Sequence, residues 1–339
     1  MAIPYRTKRL LGRIMIALLA LVLLAVLVWA CWLLWVHKFV YYTADGGAVL
    51  DFDLKPISGD GQLAKPPEAQ ETIPIYYNEG ENAINTSKEL SQMVGYYVEP
   101  DALTDLAAVR AQIKVLPLDV PIMIDVKTVY GTFNYSSSVS TSRNSKVDVE
   151  QMDGLIRDLT ASGRYMIARL PGLCDKEYGL NHVDDGVFHS SRGYLWMDDN
   201  GCYWLNPARQ GTLAHLTKII LELKSLGFDE VVFSDFNFPA TTNIYVEGDK
   251  AQAVSDAAQT LVTACATDSF AVSFVSSAGF QAPQGRSRLY LLNAVASEAA
   301  NIAQNSGLED PAVKLVFLTD VHDTRFDAYS VLRPLSAAH

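Results

Sequence analysis

Charged and hydroxyl side chains stand at the ends of several short apolar runs, where a fold can hold them still and half out of water. Asp125 and Lys127 close the run Ile122-Met123-Ile124, and Arg169 closes Met166-Ile167-Ala168. Ser234, Asp235 and Asn237 follow Val231-Val232-Phe233, and Asp320 follows Val316-Phe317-Leu318-Thr319, with His322 and Asp323 just beyond. The long stretch Pro171–Pro207 adds Asp175, His182 and the aromatics Tyr194, Trp196, Tyr203 and Trp204. Two carboxyl groups, one protonated and one ionised, are what glycosidic cleavage requires. Aromatic faces stack on pyranose rings while carboxylates bond the hydroxyls. Asp125 and Asp235 form the available acid–base or nucleophile pair, with Arg169 placed to steer their charge. Lys127, Asp175, Trp196, Trp204, Asn237 and Asp320 would hold the substrate.

Blander roles compete for the same residues. A carboxylate in an apolar strand is often the buried partner of a nearby cation, and Asp125 has Lys127 and Arg169 to choose from. Trp196 and Trp204 can equally pack the long loop down. His322 reads as a surface residue, and Asp229-Glu230 as a solvated turn. Ser234 has no G-x-S-x-G context. There is no Gly-rich phosphate loop, no HExxH and no CxxC, so neither metal nor cofactor is indicated. The net charge of −11 is repelled by nucleic acid and by anionic headgroups. Cys174 and Cys202 flank one loop, which leaves a disulfide outside the cell and two free buried thiols both open.

The elements that must position these groups follow from periodicity. Strands are expected at Met93–Val98, Pro121–Thr128, Tyr165–Leu170, Glu230–Asp235, Phe270–Val275 and Val313–Thr319. Helical periods lie between them at Asp101–Leu116, Val149–Ser162, Thr212–Leu226 and Lys250–Ala266, with Asp148 as a cap and Gly163 and Gly227 as stops. Such alternation over about 250 residues predicts a (β/α)8 TIM-type barrel over 93–339. Residues 286–306 read either as a sixth strand at Arg288–Ala294 with a following helix, or as one helix. Phe326–Leu332 is the candidate eighth strand.

Ahead of the barrel the pattern changes. Ile14–Val36 holds no charged residue and as a helix would span roughly 34 Å, enough for a bilayer core. Arg6, Lys8, Arg9 and Arg13 precede it, against Lys38 after it. The positive-inside rule then predicts a cytoplasmic N-terminus at 1–13, a transmembrane signal anchor at 14–36 and an extracellular remainder. Residues 37–92, acidic and rich in Gly and Pro, read as a stalk with a short strand around Ile73–Tyr77. The lipid bilayer is thus an expected partner through this helix, whereas nothing speaks to the oligomeric state.

Four motifs, in order and with matching spacing, carry a family resemblance across about 93–240. They are Met123-Ile124-Asp125-Val126-Lys127 with Gly131 and Tyr135; Ile167-Ala168-Arg169 with Asp175; Trp196 through Gly201 to Trp204-Leu205-Asn206-Pro207; and Leu226-Gly227-Phe228-Asp229-Glu230 ending in Phe238-Pro239. Together they resemble the glycoside-hydrolase-like domain family formerly known only as a domain of unknown function. The resemblance implies a TIM-type barrel that acts on or binds glycans, and it brings Asn206 into the substrate-binding set. The family's fourth strand usually reads Phe-Asp-Tyr-x-Arg-Phe-Pro, where this chain has Phe233-Ser234-Asp235-Phe236-Asn237-Phe238-Pro239. The fifth strand offers Ser276-Ser277-Ala278-Gly279 where an Asp before Gly is usual, and Thr128-Val129 replace acidic residues. A serine neither holds charge nor supplies a proton near neutral pH. The alternative is therefore a catalytically inactive glycan-binding or envelope scaffold barrel.

Overall fold

The computed structural model describes residues 22–29, 32, 40–42, 48–50 and 89–338 of the chain. Contacts divide the chain into two units, Met1–Glu81 and Asn82–His339. In the first, residues 22–29 are helical and Val40–Tyr42 pairs antiparallel with Ala48–Leu50, Val40 opposite Leu50. Most of the expected anchor and the expected strand at Ile73–Tyr77 lie outside the described residues. Among the described residues no helix is long and apolar enough to cross a membrane.

The second unit is a closed barrel of eight parallel strands. These are β1 (Val94–Tyr97), β2 (Ile122–Asp125), β3 (Met166–Pro171), β4 (Glu230–Ser234), β5 (Ala271–Val275), β6 (Leu289–Leu292), β7 (Leu315–Leu318) and β8 (Ser330–Pro334). Each strand pairs with its sequence neighbour, and β8 closes on β1 with Leu332 opposite Gly95. Strands buried on both faces tolerate the near-continuous apolar runs seen at Ile122-Met123-Ile124 and Leu315–Leu318. Their inward side chains, among them Met123, Ile167, Val232, Tyr290, Val316 and Leu332, form the barrel's inner core. The outward ones pack under the helices.

Helices cover the first half of the barrel densely: α1 (Leu106–Lys114), α2 (Val149–Ala161), α3 (Lys176–Asn181), α4 (Gln210–Ser225) and α5 (Lys250–Cys265). α4 buries Leu216, Ile219, Ile220 and Leu223, one stripe at helical spacing. Asp148 caps α2 by accepting from the Gln151 N–H, as its position suggests. Beyond β5 the cover thins. The 276–288 connection carries no helix, α6 (Ala299–Asn305) is short, and a 3₁₀ turn at Thr324–Phe326 alone links β7 to β8. Phe317 and Phe326, with ring centres 5.0 Å apart, fill the space a longer helix would occupy. Residues 286–306 thus resolve as strand then helix, and the eighth strand starts later than periodicity indicates because Phe326 belongs to that plug.

The base of the barrel corrects one expectation. Glu230 is fully buried rather than part of a solvated turn. Its carboxylate accepts from Arg288 Nη1 at 2.6 Å, from the Tyr165 hydroxyl at 2.9 Å and from the Tyr290 hydroxyl at 2.8 Å. Arg288 also donates to the backbone oxygens of Ser91 and Val313. Burial opposes the Arg288 charge, but Glu230 together with Tyr165 and Tyr290 outweighs it and raises its pKa. This network ties β3, β4 and β6 at the end opposite the strand C-termini.

Candidate active site

Met123, Ile167 and Val232 point inward, so the residues two positions later do as well. Asp125, Arg169 and Ser234 therefore crown the inner wall on β2, β3 and β4, and Tyr97 packs against the same inner core from β1. Asp125 and Arg169 are direct cross-strand neighbours. Arg169 grips the carboxylate with both arms of its fork, Nε to Oδ1 at 2.5 Å and Nη2 to Oδ2 at 2.9 Å. The side chains of Asp125 and Arg169 stay 17% and 15% exposed, so solvent and ligands reach the pair. The guanidinium sits 5.8 Å from the centre of the Tyr97 ring.

Electrostatics draw further groups into this cluster. Burial favours loss of the Arg169 proton, but Asp125, then Tyr97 and Asp235, outweigh it and raise the pKa. Burial also pushes the Tyr97 hydroxyl above its ordinary value; Glu99 and Asp320 add to the shift and Arg169 opposes it. Tyr97 is thus a neutral hydroxyl able to donate a hydrogen bond beside a fixed cation.

Regular alternation would turn Asp235 away from the face that Ser234 occupies, but its backbone leaves the strand conformation. Its φ of 50° is left-handed, so β4 ends at Ser234 and the simple inward–outward rule stops there. The Ser234 hydroxyl donates to Asp235 Oδ2 at 3.0 Å, and Leu173 N–H donates to the Asp235 carbonyl. The two adjacent side chains consequently face one another at the strand end. Asn293, just after β6, is the other non-glycine residue with positive φ among the described residues, at 54°. Strain of this kind gathers at functional strand ends.

Lys127 and Asp175, expected as substrate contacts, form a buried ion pair. Their charged atoms are 2.6 Å apart with both side chains sealed from solvent. Asp175 also accepts from the Tyr178 N–H at the start of α3 and lies 3.4 Å from His215 Nε2. The His215 ring stacks on Tyr178 at 3.8 Å, and Tyr178 stacks on His182 at 3.9 Å. Gly131, at φ +81°, lets the chain after β2 lie directly against Asp175, where a Cβ would collide with the carboxylate. A cavity of about 680 Å³ opens beside this group, lined by Ser138–Ser142 and by Glu177, Tyr178, His182 and Lys218.

This buried group makes a pH prediction. Burial opposes the Asp175 charge, yet Lys127 and His215 hold its pKa far below the usual carboxylate value. Burial likewise lowers the His215 pKa below 6.5, despite the hydrogen bond to Asp175 that opposes the shift. An unfolded chain binds more protons than the folded one at both positions, so stability falls as pH drops. The His215 part is complete above about pH 6.5 and the Asp175 part above about pH 4. The expected result is a Tm that declines from pH 7 to pH 4, and less steeply in an Asp175→Asn/His215→Gln variant. Parallel profiles would contradict it.

The long loop folds on itself. Trp204 donates from Nε1 to Asp198 Oδ2 at 3.0 Å and packs on the core, so its ring pins the loop. Trp196 is half-buried, its N–H bonded to the Val187 carbonyl. Asn206 accepts from the Ala208 N–H and shapes the turn into α4. Asn237 donates to the Phe238 carbonyl and borders a small cavity between the β4 and β5 loops. Asp320 and His322 are exposed beyond β7, and Asp323 caps the 3₁₀ turn through the Arg325 N–H. Tyr97 was within reach of sequence reasoning, since alternation along Met93–Val98 turns it inward with Gly95. Tyr178, His215 and Asn293 carry no such signal.

Residues 109–278, half of the chain and all of β2 to β5, match the model of the family described as “Putative glycosyl hydrolase domain”. The chain belongs to this family. Asp125, Arg169, Ser234 and Asp235 fall inside the family segment, whereas Tyr97, Asn293 and Asp320 fall outside it. Among curated proteins none matches the sequence. Solved structures of similar outline include a hypothetical protein from Ruminiclostridium thermocellum, with 17% identity, a TM-score of 0.45 and coverage of 53% of this chain and 96% of that one. A GH36 α-galactosidase from Geobacillus stearothermophilus in complex with raffinose gives 12%, 0.48, 73% and 39%. Aspergillus fumigatus Ega3 in complex with galactosamine gives 11%, 0.41, 73% and 93%. The chain spans about two-fifths of the length of that α-galactosidase.

Proposed function

We propose that the barrel mouth is a glycan-binding site of glycoside-hydrolase type, built from Tyr97, Asp125, Arg169 and Asp235 and facing the outside of the cell. One observation carries the reading: both Asp125 oxygens are engaged by Arg169 while the pair stays open to the mouth. A carboxylate gripped in this way is not set up as the proton donor of glycosidic cleavage. It is well set up to accept from sugar hydroxyls, with Arg169 donating and the Tyr97 ring beside them. The outside location rests on the uncharged run at Ile14–Val36 and the basic residues before it.

A second reading, hydrolysis, has its own support in Asp235. Its left-handed backbone holds a carboxylate at the end of β4, hydrogen-bonded only to Ser234 among the described side chains. Glu99 and Asp320, which both act on Tyr97, are further acids near it. The test is a glycan array probed with the full-length protein in detergent, with chromatography of any released sugar. Binding without product, lost in Arg169→Met, is the expected result. Product formed by the wild type and reduced about 100-fold or more in Asp235→Asn would establish hydrolysis instead. Failure to bind any glycan would overturn both readings.

A further inference from the structure

Two buried thiols stand outside everything assigned above. Cys174 follows β3 and Cys202 closes the long loop; they are 3% and 0% exposed. The runs that carry them pair as a short ladder, Leu205 N–H to the Leu173 carbonyl at 2.7 Å and Asp175 N–H to the Tyr203 carbonyl at 3.0 Å. Their Sγ atoms and a carboxylate oxygen of Asp198 all lie within 4.8 Å of one another, and both cysteines are free thiols. We propose that Cys174 and Cys202 form a disulfide site, joined during folding in an oxidising compartment, that closes the loop carrying α3 and Trp196.

The surroundings favour a bond between the sulfurs over a metal ion shared with Asp198. Both oxygens of that carboxylate are already committed. Oδ1 accepts from the N–H groups of Asn200 and Cys202, and Oδ2 accepts from Trp204. Burial, the largest influence at each thiol, raises both pKa values. Metal binding would need two thiolates in that dry pocket, whereas a disulfide is neutral and suits it. The same burial sets the timing. In the folded protein an external disulfide cannot reach either sulfur, so the reaction belongs to the stage before the loop closes.

The chemistry is exchange with an external disulfide such as oxidised glutathione. The Cys202 thiolate attacks one sulfur of that disulfide and expels a thiolate, leaving a mixed disulfide. The Cys174 thiolate then attacks the Cys202 sulfur and expels the second thiolate. Two protein thiols are oxidised, one external disulfide is reduced to two thiols, and the protons pass to the departing thiolates.

The test refolds the full-length protein in detergent with oxidised and reduced glutathione, then alkylates it in denaturant without reductant. Peptide mapping should find Cys174 linked to Cys202, lighter by two hydrogens, with Cys31 and Cys265 carrying the label. The oxidised protein should melt about 5–10 °C above protein refolded in dithiothreitol, a gap that vanishes in Cys202→Ser. Protein already folded under reducing conditions should acquire the link far more slowly. Labelling of all four cysteines after oxidative refolding would overturn the proposal, and labelling of the wild type needs no variant to fold. So would equal melting of the two preparations, or thiols that stay protected until a chelator is added, which would mark a metal site.

Discussion

Arg288→Met is expected to lower the Tm by roughly 10 °C or to prevent folding, although Arg288 lies at the end of the barrel opposite the candidate site. Deleting one partner of a buried ion pair costs about 3–5 kcal/mol, because the other charge is left without compensation. Here that charge is Glu230, which is fully buried and accepts three hydrogen bonds from side chains. For a unit of this size each kcal/mol moves Tm by about 2–4 °C. The loss of Arg288 also strands the Ser91 and Val313 carbonyls it serves. Replacing both partners, Glu230→Leu with Arg288→Met, should recover part of the loss, since a neutral apolar pair leaves no buried charge. The double variant will not recover all of it, because the hydroxyls of Tyr165 and Tyr290 lose their acceptor. Calorimetry of the wild type and the two variants checks this. A single variant within about 2 °C of the wild type would show that the network is not the clamp described.

The second large effect is at the mouth. Arg169→Met is expected to weaken glycan binding about 10- to 100-fold, which corresponds to losing one charge-assisted donor set worth about 1.5–3 kcal/mol. Asp125→Asn should cost a similar factor. It removes the charge that orients the guanidinium while leaving an amide of the same shape. The two losses should not add, because each destroys the same bidentate contact, and the double variant should bind about as weakly as either single one. Lys127→Met supplies the contrast. Lys127 pairs with Asp175 out of reach of solvent, so its loss should lower stability and leave the affinity of whatever remains folded unchanged. Isothermal titration with a glycan from the array measures all four. Full affinity in Arg169→Met would remove the Asp125–Arg169 pair from the binding site.

The local code of this chain carried the barrel. Apolar runs too short for helices alternated with helical stripes, and the glycine and aspartate punctuation at Asp148, Gly163 and Gly227 set helix ends that the structure keeps. The charged residues at strand ends were legible for the same reason: period-two alternation along Ile122–Asp125 and Met166–Arg169 points Asp125 and Arg169 to one face. Closure of the sheet decided the rest. Only closure sets Arg288, just before β6, and Tyr290 of β6 against Glu230 of β4, which turns an apparent solvated Asp-Glu turn into a sealed ion pair. Likewise Lys127 lies only two residues beyond Asp125, and the bend after β2 sends one charge to the mouth and the other inward to Asp175. The left-handed backbone at Asp235 has the same status. Sequence spacing assigns a side chain to a face only while the strand stays regular, and at β4 the regular strand ends one residue before the acid. Residue types and their periods therefore determine which elements form. Which charges meet is a matter of distances between segments far apart in the chain, and these exist only once the barrel has closed.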